Sequence, residues 1–184
     1  MRTSGPGVSF TCLLLAAARL AGAHHLDPGN TQISFEIERL GLHWFSAAFR
    51  EVSGEFSLEP DGRGGRLTVT VRTASIDSHS SYWNERLRSV AFLDTSQFPE
   101  MVYRSRRIEL DGAGRATIEG ELTLHGVTRP LALSVTDIDC PLSASAPAHR
   151  CRFLGRGTLR RSDFGIAHGF WQGGDSVEIV VRGN

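Results

Sequence analysis

The sequence has no lysine: all 20 of its basic side chains are arginines, and they balance 20 acidic ones to a formal charge of zero. Without lysine there is no Schiff-base chemistry and no P-loop lysine to grip a nucleotide phosphate. The neutral balance argues against a nucleic-acid partner, which normally shows as a basic excess. Cysteine is scarce, with three in 184 residues. Long apolar runs are also missing, since the stretch Val8–Ala18 is too short to span a bilayer and Arg19 follows it. Among the seven histidines no two stand at i,i+4 and there is no H-E-x-x-H. Neither a G-x-S-x-G elbow nor a G-x-G-x-x-G phosphate loop occurs. With 40% apolar and 22% charged residues, the chain reads as one globular domain, not as a disordered tail, a collagen-like repeat or a multi-pass membrane protein.

What is present begins with an address. Arg2, the apolar run and the small residues Ala21-Gly22-Ala23 have the form of a signal peptide cut after Ala23. This predicts a mature domain over 24–184 and a periplasmic or secreted location. Removing Arg2 and Arg19 from the 20 basic residues leaves 18 against 20 acidic ones, a net of −2. The remaining cysteines, Cys140 and Cys151, flank a Pro-, Ala- and Ser-rich segment and fit neither C-x-x-C nor a zinc knuckle. An even pair in an exported chain predicts a disulfide.

Along the domain the apolar residues recur with period two. Ile33, Phe35 and Ile37 alternate with Ser34, Glu36 and Glu38, and the same rhythm returns at Leu67, Val69 and Val71, at Leu131, Leu133 and Val135, and at Val177, Ile179 and Val181. Such alternation marks strands with one dry and one wet face. Further strands are predicted at Leu42–Arg50, Val52–Leu58, Met101–Leu110, Ala116–Leu124 and Arg152–Arg161, separated by glycine-rich breaks. One segment departs from this: in Ser80–Val90, residues Trp83, Leu87 and Val90 fall at helical spacing, with Ser80 or Ser81 as the cap.

These signals predict an all-β protein, an antiparallel barrel or sandwich with a short helix over one end of the sheet. Strands of about nine residues at ~3.3 Å each would span roughly 30 Å, enough to sheath a long lipid tail. A small barrel can equally be filled by its own side chains, and periodicity does not separate the two.

Exact words narrow the choice. The run Leu122-Thr123-Leu124-His125-Gly126-Val127-Thr128-Arg129-Pro130 resembles the hallmark of the YceI-like family of exported, lipocalin-like proteins. Further matches follow in the family's order: Leu26-Asp27-Pro28, Leu40-Gly41, Ala74-Ser75-Ile76-Asp77, Leu87-Arg88-Ser89 with Phe92 and Asp94, Phe98-Pro99, Tyr103 with Ser105, Arg161-Ser162-Asp163-Phe164-Gly165-Ile166, and Gly174-Asp175 with Val177-Glu178-Ile179. The resemblance implies an extended antiparallel barrel of about eight strands with a small helical insertion. It also implies an apolar tunnel holding a polyisoprenoid or another long amphiphile, by binding, storage or carriage and not by catalysis, with no cofactor.

Candidate tunnel liners are Ile33, Phe35, Ile37, Leu67, Val69 and Val71, with Trp44, Phe49, Phe56, Trp83, Leu87, Phe92, Phe164 and Trp171 adding larger surface. The chain departs from the family pattern at Asn30, Arg39 and Ala47. An arginine at position 39, in place of a histidine near a tunnel mouth, would favour a permanently anionic head group. His125, in the hallmark turn, reads as a structural residue.

Two other classes compete. A mature chain starting His24-His25 would offer an amine and imidazoles to copper, although adjacent histidines at a terminus are commonly just exposed. Arg104, Arg106 and Arg107 could meet anionic membrane lipids, or they could be a solvated strand face balanced by Glu100 and Glu109. A sheet edge or barrel mouth could also pair two copies into a homodimer.

Overall fold

Period-two alternation becomes one continuous antiparallel sheet. The computed structural model describes residues 24–26, 29–39, 42–58, 64–111, 113–139, 152–166 and 175–183. Within them the strands are β1 (His24–His25), β2 (Thr31–Arg39), β3 (Leu42–Phe49), β4 (Val52–Leu58), β5 (Gly65–Arg72), β6 (Ile76–Asp77), β7 (Glu100–Leu110), β8 (Ala116–Leu124), β9 (Val127–Asp139), β10 (Arg152–Arg160) and β11 (Ser176–Gly183). Their order in the 11-stranded sheet is β1-β4-β5-β7-β8-β9-β10-β11-β2-β3-β6. Two of these strands are only two residues long, so the sequence estimate of about eight becomes nine long strands and two short ones.

The sheet curls so that its two ends come together at one corner. Strands β3 and β4 lie at opposite ends of the order, yet only Arg50 and Glu51 separate them in the chain. Phe49 pairs with Ile76 and Val52 with Val71, and the 3-10 turn Thr73–Ser75 links those two partners. At this seam the Arg50 amide donates to the Ser75 carbonyl (3.2 Å) and the Arg72 amide to that of Glu51 (3.0 Å). The Asp77 carboxylate accepts from Arg50 Nη2 (2.8 Å), Asn84 Nδ2 (3.2 Å) and the His79 amide (2.9 Å), which holds its carboxyl well below the ordinary range.

Alternation fixes what lies inside. In β8 Ala116, Ile118, Gly120, Leu122 and Leu124 are all buried, as are Leu131, Leu133 and Val135 in β9. Tyr103 shows how closely the wall is packed. A Cβ on Gly120 would come within 2.6 Å of its ring and 2.5 Å of the Arg104 carbonyl oxygen. The Tyr103 hydroxyl reaches the carbonyls of Ile118 (3.3 Å) and Leu131 (3.1 Å), and burial pushes its pKa up to about 12.

The helix α1 (Ser81–Arg88) starts where its sequence signals place it, with Ser80 Oγ accepting from the Trp83 amide at 3.5 Å. Val90 does not follow the helical pattern and is 77% exposed. The helix ends at Ser89, whose amide and hydroxyl both donate to the Arg86 carbonyl, so the turn carries Val90 away from the core.

The hallmark run is a tight hairpin. His125 (φ 51°) and Gly126 (φ 73°) both lie in the left-handed region between the paired residues Leu124 and Val127, the geometry of a two-residue primed turn. His125 Nδ1 sits 3.2 Å from the Phe164 carbonyl oxygen, and its ring packs on Phe98 at 4.6 Å between centroids. A Cβ on Gly126 would fall 2.7 Å from the Phe98 ring. Gly126→Ala is therefore expected to destabilise the barrel by about 1–2 kcal/mol, read as a lower denaturant midpoint at unchanged slope. A midpoint equal to wild type would show that the turn relaxes without cost.

Candidate ligand-binding interior

The inward faces of the strands enclose two adjoining apolar chambers. The first, about 80 Å³, lies under α1. Its walls are Phe35 and Ile37 of β2, Phe49 of β3, Leu87 of α1, Phe92 and Leu93 of the following turn, and Met101, Leu122, Leu124, Leu159, Arg161, Ile166, Val177 and Ile179. The second, about 100 Å³, continues toward the other end of the barrel. It is walled by Leu26, Thr31, Ile33, Leu67, Val69, Val71, Tyr103, Ile118, Leu131, Leu133, Val135, Phe153, Gly155 and Val181. Met101, Leu122 and Ile179 belong to both and form the waist between them.

Among the described residues on these walls Arg161 alone carries a charge. It opens the 3-10 turn Arg161–Phe164 after β10, and its Nε and Nη1 atoms are buried. Its neighbour Arg160 points the other way and pairs with Asp175 at 2.9 Å. The Asp175 carboxylate also accepts from the Ser162 amide (2.9 Å) and hydroxyl (2.6 Å), and the Ser162 bonds, with Arg160, pull its pKa down to about 2. That clamp fixes the turn and with it the root of the Arg161 side chain.

The sequence-based liners divide accordingly. Ile33, Phe35, Ile37, Phe49, Leu67, Val69, Val71, Leu87 and Phe92 stand on the chamber walls. Phe56, Trp83 and Phe164 do not line either chamber. Phe56 is half-buried on β4, opposite His24, with its ring edge close to Gly65. Trp83 faces Phe45 (5.8 Å) and Tyr82 (5.2 Å) where helix meets sheet. Phe164 is 2% exposed, in the core beneath the hallmark turn. Arg39 ends β2 and Trp44 lies in β3, but their side chains, like Trp171, Cys140 and Cys151, lie outside what the structure describes. Met101, Leu122 and Ile179 were missing from the sequence-based set, although Ile179 lies on an alternating strand face that the period already marked as dry.

The competing surface sites take simpler forms. Arg106 is ion-paired with Glu121 at 2.5 Å and Arg107 with Glu109 at 2.5 Å, while Glu100 turns to Arg72 (3.4 Å) and not to the cluster. His24 and His25 form a short strand against Phe56 and Glu55, not a loose terminus. Among the described residues no group of three or more His, Cys, Asp or Glu is placed to hold a metal ion, and no helix is long and apolar enough to cross a membrane.

Against known families, residues 24–184 match the YceI-like domain over their whole span. The chain belongs to the YceI-like family. A YceI-family relative from Shewanella baltica, a UPF0312 protein, is 32% identical over 178 residues, covering 92% of each chain. Among solved structures, BcnA of Burkholderia cenocepacia superposes with a TM-score of 0.73 at 20% identity, covering 85% of this chain and 97% of BcnA. A polyisoprenoid binding domain from Saccharophagus degradans, implicated in plant cell wall breakdown, gives a TM-score of 0.58 at 14% identity, covering 87% of this chain and 95% of that domain. The fold these structures share with the chain is the antiparallel barrel that the hairpin and ordered motifs imply.

Proposed function

We propose that this chain binds a polyisoprenoid or similar long-tailed amphiphile non-covalently inside its barrel, storing or carrying it after export as residues 24–184. The observation that carries this reading is the pair of adjoining apolar chambers along the barrel interior. The Saccharophagus degradans domain supports the ligand class, since its fold is shared and it is described as polyisoprenoid binding. Each buried methylene of a tail contributes up to about 0.8 kcal/mol, so many weak contacts replace any single strong one. For scale, an apolar cavity of about 150 Å³ takes up benzene. Each chamber is smaller than this, so a tail of isoprenoid length occupies both and moves side chains at the waist as it enters.

The test is native mass spectrometry of the mature protein as purified, followed by organic extraction and addition of geranylgeraniol. A stoichiometric apolar adduct that leaves on extraction, or uptake of the added alcohol, is the expected result. A clean protein mass with no uptake would mean that the interior is simply packed.

A further inference from the structure

We propose that Gly155 selects the guest by its branching: it leaves a notch in the wall of the second chamber that receives a methyl branch, so the barrel favours a methyl-branched tail over a straight one. This rests on the lipid-binding reading above and adds the residue that sets the class of tail.

Gly155 is buried in the middle of β10 and stands on the wall of the second chamber. Its cross-strand neighbours, Val135 of β9 and Val181 of β11, line the same chamber. Glycine inside a strand weakens it, and it marks a bulge or a place where another group comes close to the backbone. No bulge explains this one, because the register irregularity of β10 against β9 falls between Arg152 and Leu154. Packing explains two other buried glycines of the barrel. A Cβ on Gly120 would collide with the Tyr103 ring, and one on Gly157 would lie 2.6 Å from Leu133 Cδ2 and 2.7 Å from the Ala132 carbonyl oxygen. At Gly155 a Cβ would sit 3.4 Å from Val181 Cβ and 3.8 Å from Val135 Cγ2, which is ordinary van der Waals contact. Its backbone is not in the left-handed region either. Among the described residues, then, nothing in the fold demands glycine there, and the missing side chain opens onto the chamber.

The two neighbours best placed to fill the gap are drawn elsewhere. The Phe153 ring lies against Gly183, and Leu133 leans over Gly157. What remains is a recess of methyl size, bounded by carbon. A straight chain passing along the wall leaves it empty and loses the contacts its lining could make. An isoprenoid carries methyls at regular intervals, and one of them fills it.

The experiment titrates two alcohols of equal main-chain length, phytol (branched) and cetyl alcohol (straight), into the mature protein, with urea unfolding of every variant. Wild type is expected to bind phytol more tightly. Phytol is also the more apolar of the two, so the decisive quantity is the change in that preference on substitution. Gly155→Val should lower it about fourfold, the contribution of one buried methyl, and leave affinity for cetyl alcohol near wild type. Gly155→Ala, whose methyl displaces no neighbour, should lower it part of the way with a denaturant midpoint at or above that of wild type. If Gly155→Val fails to fold, Gly155→Ala decides. A preference unchanged in whichever variant folds would overturn the proposal, as would an equal loss of both alcohols, which would make the position a matter of volume alone. Failure of both alcohols to bind wild type would overturn the lipid-binding reading itself, and this assignment with it.

Discussion

Met101→Trp is expected to reduce uptake of a long-tailed ligand at least tenfold while the barrel still folds. Met101 is 7% exposed and stands on the walls of both chambers. Methionine is unbranched and adaptable, so it can move aside for a tail that needs both chambers. An indole fills the waist and cannot. Overpacking of this kind costs roughly 1–3 kcal/mol of stability, part of which the adjoining space of about 80 and 100 Å³ can absorb. Titration with geranylgeraniol, alongside circular dichroism to verify the fold, gives the answer. Met101→Leu, nearly equal in volume, should bind as wild type does. If Met101→Trp binds as wild type does, the tail does not pass the waist.

Phe164→Ala should act on the fold and not on the interior. Its side chain is among the most deeply buried of the described residues, and its carbonyl oxygen lies 3.2 Å from His125 Nδ1 of the hallmark hairpin. Truncating a buried phenylalanine costs about 3–5 kcal/mol through lost transfer energy and the cavity left behind. Against a typical total of about 5–15 kcal/mol, that leaves a marginal protein. Urea unfolding should show the loss. Because Phe164 lines neither chamber, ligand affinity measured on the folded fraction should stay near wild type. A loss below about 1 kcal/mol would show that the site beneath the hairpin collapses freely.

The strands were legible because a sheet with one dry face must alternate, and the predicted strands match observed ones except that Arg50 and Arg161, each set at the end of a strand, lie just beyond β3 and β10. The helix start was legible from Ser80, but its end was not. Helical spacing extends to Val90, and only the Ser89 bonds to Arg86 stop the turn there. The interior was half legible: parity places Ile33, Phe35 and Ile37 inward, but it cannot divide the space at Met101, because that depends on packing across the barrel. Arg161 was hidden for a similar reason. Arg160 and Arg161 stand side by side in the sequence, and only the 3-10 turn, held by Asp175, sends one outward and the other into the chamber wall.

The seam at Arg50 and Glu51 sets where the barrel is compliant. Most other neighbouring strands share longer ladders, such as the eight residue pairs from Phe153–Gly183 to Arg160–Ser176 between β10 and β11. At the seam the sheet is finished by two-residue strands and a few corner bonds. Each rung of a ladder resists any increase in circumference, whereas an interrupted ladder yields at small cost. A guest too bulky for the resting interior would therefore widen the wall there first, like a hoop with a single clasp.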